Sequence, residues 1–122
     1  MLFNHTLTPV QKSDAMKRFG VDRFVPLPDE LQYIWSQIPA EAESLEERLA
    51  PLWEWLASNV KEGDVALVQG DFGATCLAVR RLKALGVACC YATTRRKAIE
   101  RQRDDKVFKE SIFEHIRFRL YE

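Results

Sequence analysis

Long apolar runs are missing from this chain, and with them any segment able to cross a bilayer as a helix. The first residues carry neither a basic leader nor an extended apolar core, so no targeting signal is expected. Cysteine is scarce and odd in number: Cys76, Cys89 and Cys90 all sit in apolar segments that read as core. That usage excludes a disulfide framework and suits a reducing, cytoplasmic location. Cys89 and Cys90 are adjacent and alternate across a predicted strand, so buried structural thiols are expected there, with neither a disulfide nor a zinc site. Net charge is absent, because 18 Lys and Arg balance 18 Asp and Glu. A general duplex-binding protein held by an overall positive field is thereby excluded. Histidine is limited to His5 and His115, with no carboxylate cluster beside them, so no metal cofactor is expected.

What is present begins with an ordinary globular composition, 47% hydrophobic and 30% charged over 122 residues, which supports one domain with one core. Charge is balanced but not even. From Asp29 to Asp64 nine acidic residues face two basic ones, whereas from Arg95 to Arg119 nine basic residues face five acidic ones. The C-terminal quarter is the basic part.

Local signals lay out alternating strands and helices. Met1 to His5 reads as a short strand ending in Asn4 and His5; Thr8, Pro9 and Gln11 supply an N-cap, a proline at the first helical position and a capping-box partner, and Gly20 stops that helix. Val21 to Val25 reads as a second strand. Asp29 to Ile38 predicts a turn or two of helix, and Leu45, Leu49, Leu52, Trp53, Leu56 and Val60 recur at helical spacing. Pro51 falls inside that pattern and predicts a kink or a restart. Trp35, Trp53 and Trp55 lie in this region and are expected to pack in the core or an interface.

The third strand, Val65 to Gln69, is a short apolar run of the kind buried on both faces of a parallel sheet, and it stops at Gly70-Asp71-Phe72-Gly73 before a helix that ends at Gly86. Val87 to Thr93 predicts the fourth strand. Arg95, Arg96 and Lys97 open a polar segment expected to be a short helix, with Asp104-Asp105 as a turn. The last segment has period two, placing Ile112, Glu114, Ile116, Phe118 and Leu120 on one face and Phe113, His115, Arg117, Arg119 and Tyr121 on the other. The fold class that follows is a Rossmann-like three-layer α/β sandwich with a mostly parallel central sheet and an antiparallel C-terminal edge.

In such sheets ligands collect at the carboxyl ends of strands. Three predicted ends carry suitable groups: Asn4-His5, Gln69 to Gly73, and Thr93-Thr94-Arg95-Arg96. The glycine turn lacks the third glycine of a dinucleotide fingerprint and the Gly-Lys-Ser/Thr of a P-loop. It reads either as a tight strand-to-helix turn or as an anion site at a helix N-terminus. Asp71 is either a turn residue and helix cap or a group that coordinates a metal or orients a hydroxyl, and Arg95 and Arg96 are either a pair of guanidinium groups for phosphate or the solvated start of a charged helix. His5 is either a general acid or base or a hydrogen-bonded strand-end residue. His115 reads first as a member of a polar sheet face, which could also line a ligand cleft.

Four blocks, Asn4-His5-x-Leu7-Thr8 with Gln11, Leu67 to Thr75, Tyr91 to Arg96, and Phe113 to Tyr121, resemble a small CRISPR-associated family, the one numbered twenty in the Csx series. The blocks run from one end of the chain to the other in the same order, and Gln69-Gly70-Asp71-Phe72-Gly73-Ala74-Thr75 is the most specific of them. The resemblance implies a minimal CARF-like domain acting as a stand-alone ring nuclease of type III systems. It would degrade cyclic tetra-adenylate without metal, by attack of a ribose 2′-hydroxyl on the neighbouring phosphate, and would work as a homodimer. Within that expectation His5, Arg95 and Arg96 carry catalysis. Asn4, Thr8, Gln11, Gln69, Gly70, Asp71, Phe72, Gly73, Thr75, Thr93 and Thr94 hold the ligand, Phe72 by stacking on a base. A non-catalytic sensor or sequestering protein is the alternative for the same residues, and neither reading involves duplex nucleic acid or a membrane.

Overall fold

The computed structural model describes residues 1–3 and 6–122, Phe3 by its backbone alone. The chain runs β1 (Leu2–Phe3), α1 (Pro9–Phe19), β2 (Val25–Pro26), α2 (Asp29–Ser36), α3 (Glu46–Asn59), β3 (Val65–Leu67), α4 (Phe72–Ala84), β4 (Ala88–Arg103) and β5 (Lys106–Leu120). The strands form one mixed sheet in the order β2-β1-β3-β4-β5; β5 is antiparallel to β4 and every other pairing is parallel. No helix among the described residues is long and apolar enough to cross a membrane.

Helix ends follow the chemistry of their sequences. Thr8 Oγ1 accepts from Gln11 N at 3.2 Å while Thr8 N donates to Gln11 Oε1 at 3.0 Å, so two orphan amides of α1 are satisfied reciprocally. Gly20 closes α1 in the left-handed conformation. Asp71 caps α4 by accepting from Ala74 N at 3.0 Å.

The sheet is covered on both faces because successive residues of its central strands are apolar in both directions. Ala66 and Cys89 meet Leu31, Trp35, Leu52, Trp53, Leu56, Ala78 and Leu82 from α2, α3 and α4. Val65, Leu67, Cys90 and Phe118 meet Leu7 and Ala15, with Phe19 beside them, on the α1 side. Cys89 and Cys90 thus enter opposite cores, and burial pushes their thiols up to about 11 and about 12. Cys76 is exposed on α4, not in the core as its apolar neighbours suggested.

Two further expectations are corrected. First, 95–103 is not a helix: β4 continues unbroken to Arg103, Asp104 and Asp105 form the turn with positive φ, and β5 returns from Lys106. Pairing with β5 across the Asp104-Asp105 turn fixes this segment, and the hairpin ladder outweighs its local helix preference. Second, the register shifts between Thr93 and Thr94, leaving Ile116 unpaired between Arg117 and His115. This β-bulge reverses the alternation, so His115 joins Phe118 on the α1 face, with ring centroids 4.8 Å apart, while Arg117 and Arg119 occupy the other face. Of the kink or restart expected at Pro51, the restart does not occur: α3 passes through it as one helix, with Pro51 exposed so that the carbonyl it leaves unbonded can meet water.

Candidate functional site

The end of β3 is held by side chains that patch the backbone where the ladder stops. Gln69 Oε1 accepts from Ala92 N at 2.8 Å, extending the β3–β4 connection, and Gln69 O accepts from Trp35 Nε1 at 2.8 Å. Gly70 lies against that indole so closely that a Cβ would fall 2.6 Å from Trp35 Nε1, which makes glycine the residue that fits. The chain then turns into α4, whose first turn leaves the amides of Phe72 and Gly73 without intrahelical acceptors.

An open cleft of about 1030 Å³ lies beside this turn. One wall is α4, with Phe72, Thr75, Cys76, Arg80 and Lys83; the other is the β4–β5 face, with Tyr91, Arg119 and Tyr121. Phe72 is 95% exposed at the rim, an unusual position for an aromatic unless something covers it. Thr75 Oγ1 is buried, with no hydrogen-bond partner among the described residues.

The sheet wall is a preorganised stack. Tyr91 and Arg119 are cross-strand partners; Arg119 donates to Tyr91 Oη at 3.0 Å and its guanidinium lies 5.5 Å from that ring centroid. Tyr121 packs its ring 4.8 Å from Tyr91 and donates to Val68 O at 2.6 Å. Burial, followed by the neighbouring Tyr91, pushes the Tyr121 phenol above its ordinary value, so it stays a neutral donor. Arg119, Arg80 and Lys83 outnumber Glu122 in the lining and give the cleft a net cationic character that suits phosphate.

The turn residues predicted from sequence divide at this cleft. Gln69, Gly70, Phe72 and Thr75 line it; Asp71 serves as the α4 cap, and Gly73 lies beside Leu45. Thr8 and Gln11 are committed to the α1 capping box, away from the cleft. Thr93 lies at the cleft-side face and donates to Arg117 O at 3.0 Å, and Thr94 is paired with His115 on the α1 face. Arg95 and Arg96 do not form a pair, because consecutive strand residues point to opposite faces; Arg96 Nε donates to Ser111 Oγ at 2.9 Å. Asn4 and His5 lie outside the described residues.

Sequence reasoning did not single out Tyr91, Arg119, Tyr121, Arg80 or Lys83 as site residues. The first three meet only through the antiparallel register; Arg80 and Lys83 look like the solvated side of a helix until the cleft is seen.

On the α1 side, His115 Nε2 lies 2.9 Å from Asp14 Oδ2, and Arg18 Nε donates to Asp14 Oδ1 at 2.8 Å. This ties α1 to β5.

Fold and cleft together define a class: a small mixed α/β domain with a cationic, aromatic-lined cleft at the carboxyl end of its parallel strands. Within that class, the chain belongs to the family described as Uncharacterized protein MJ1673 family, which it matches over residues 1–119. Uncharacterized protein MJ1673 of Methanocaldococcus jannaschii is 40% identical over 121 residues, covering 99% of this chain and 94% of that protein. No solved structure matches the chain.

Proposed function

We propose that this protein is a Rossmann-like, CARF-like ring nuclease of type III CRISPR immunity that opens cyclic tetra-adenylate to linear di-adenylate with a 2′,3′-cyclic phosphate, ending the antiviral signal. The observation that carries the reading is the cleft itself. A guanidinium held on an aromatic ring, two further cations and a helix N-terminus surround it, and a fully exposed Phe72 stands at its rim. Cyclic oligoadenylate presents the complementary set of phosphates and purine faces.

The order β2-β1-β3-β4 with helices on both faces supports the Rossmann-like reading. The chemistry needs an in-line 2′-hydroxyl and stabilisation of charge growing on phosphorus. Arg119 and the α4 amides supply the latter, and Arg95, on the same sheet face as Arg119, extends it. His5 is the proposed proton carrier. A homodimer in the cytoplasm completes the reading, since a two-fold axis presents equivalent halves to a ring of four identical units.

A second reading is favoured by one observation: the described lining of the cleft is cations, aromatic rings and backbone amides, groups that bind, while His115 is tied to Asp14 on the α1 side. The protein would then bind the ring without cutting it.

Single-turnover incubation with labelled cyclic tetra-adenylate in EDTA separates the two. Linear di-adenylate with a cyclic phosphate end is the expected product. Tight binding with the ring intact establishes the sensor or sequestering reading, and no binding removes both. Arg119→Gln is expected to weaken ring binding by about tenfold or more, the scale of a charge-assisted hydrogen bond lost.

A further inference from the structure

Beyond Thr94 the β4–β5 hairpin leaves the body of the protein as a two-stranded ribbon whose residues from 100 to 114 are all exposed. At about 3.3 Å per residue its nine-residue arm reaches about 30 Å. The cross-strand pairs assign its faces. On the face continuous with the cleft lie the pairs Tyr91–Arg119, Thr93–Arg117, Arg95–Glu114, Lys97–Ile112, Ile99–Glu110, Arg101–Phe108 and Arg103–Lys106. Seven cations meet two carboxylates there. The opposite face, from Thr94–His115 to Gln102–Val107, carries Arg96 and Lys109 against Glu100. The basic bias of the C-terminal quarter is therefore confined almost entirely to one side of the ribbon, on a chain with no net charge.

The two carboxylates on the basic face are both answered: Glu110 pairs with Arg101 at 3.3 Å and Glu114 stands opposite Arg95. Lys97, Arg103, Lys106 and Arg117 have no carboxylate directly opposite them. Same-face neighbours along a strand are about 6.6 Å apart, so the cations form a linear track and not a point site. Phe108, 49% exposed, and the Tyr91 ring interrupt the track with π surfaces. A linear row of cations with interspersed aromatics matches a charged backbone that carries planar bases.

We infer that the cleft-side face of the β4–β5 ribbon binds single-stranded polynucleotide, its cations tracking the phosphates and Phe108 offering a stacking surface. Tyr91, Arg119 and Arg95, at the base of this face, belong to the ring site; Lys97, Arg101, Arg103, Lys106 and Phe108 lie beyond the cleft, and it is this outer stretch that takes an open strand.

The test uses the full chain and fluorescence anisotropy with labelled oligoadenylate and oligodeoxythymidylate of about 12 nucleotides, inside the range spanned by compact single-strand binders. Binding of either strand, weakening linearly on a logarithmic salt scale, is the expected result; relative affinity for the two tells RNA from DNA. The variant Lys97→Gln, Arg101→Gln, Arg103→Gln, Lys106→Gln is expected to lose affinity by about tenfold or more and to show a shallower salt slope. Arg96→Gln with Lys109→Gln, on the other face, is expected to bind as the parent does. Circular dichroism and ring cleavage unchanged in the four-site variant show that fold and cleft are intact. No binding at low salt, equal loss in both variants, or preference for duplex overturns the inference. So does a parent dimer, by sedimentation, that the four-site variant dissociates without any strand binding, which would give the basic face to the acidic helices of a second copy.

Discussion

Asp14 shows how one side chain links two elements and sets a pH dependence. Burial raises the cost of its charge, yet the hydrogen bonds from His115 and Arg18 outweigh that and hold the carboxyl below its ordinary value. A depressed folded-state value stabilises the protein above the unfolded value, near 4, and that contribution disappears as pH falls through the folded value. Asp14→Asn is therefore expected to lower stability at neutral pH by about 1–2 kcal/mol. Its urea midpoint should also fall less steeply than the parent's below about pH 4; identical acid slopes would show that Asp14 does not carry the effect. The two glycines of the turn make a second contrast. Gly70→Ala drives a methyl into Trp35 and should cost about 1–3 kcal/mol, the range of overpacked cores. At Gly73 a Cβ meets Asp71 Oδ2 at 3.4 Å and Leu45 Cδ1 at 3.5 Å, ordinary contacts, so Gly73→Ala should leave the midpoint unchanged or raise it through helix propensity. Equal losses at both positions would remove the Trp35 contact as the reason for Gly70.

At the scale of elements, α3 keeps its helix despite Pro51 because Leu49, Leu52, Trp53 and Leu56 bury one face against α2, α4 and the sheet. Tertiary packing outweighs the lost hydrogen bond. Pro51→Ala restores a donor to the Glu47 carbonyl on an exposed surface and should stabilise the protein by about 1–3 kcal/mol in urea unfolding. A lower midpoint would mean that proline sets the path of α3 across its neighbours. Elements bounded by their own chemistry were legible in sequence: α1 between Thr8 and Gly20, α4 between Asp71 and Gly86, and the apolar core of β3. The extension of β4 was not, because Arg95, Arg96, Lys97 and Glu100 offer no apolar face from which a period of two could be read. The bulge was equally hidden, and with it the face of His115. Half of the cleft followed from the glycine turn; the other half, Tyr91 against Arg119 and Tyr121, depends on a register set by chain segments 28 residues apart.

The whole molecule divides into a body with a core on each side of the sheet and a ribbon that belongs to neither. Buried hydrophobic residues stop at Cys90 and resume only at Phe118, so the arm contributes no core side chain. A two-stranded ribbon is marginal by itself in water, and its opening should require less free energy than global unfolding. Replacing residues 98–111 with Asn-Gly joins Lys97 to Ile112, already cross-strand partners, through a turn suited to a two-residue hairpin. The shortened protein is expected to unfold within about 0.5 kcal/mol of the parent, because surface substitutions away from packed features rarely do more and the shorter closure costs less entropy. A loss above about 2 kcal/mol would place the ribbon inside the cooperative unit. The deletion leaves Gln69, Phe72, Arg80, Tyr91, Arg119 and Tyr121 in place, so ring cleavage should persist while affinity for an open single strand falls. Loss of both activities together would instead mean that the cleft and the ribbon act as one surface.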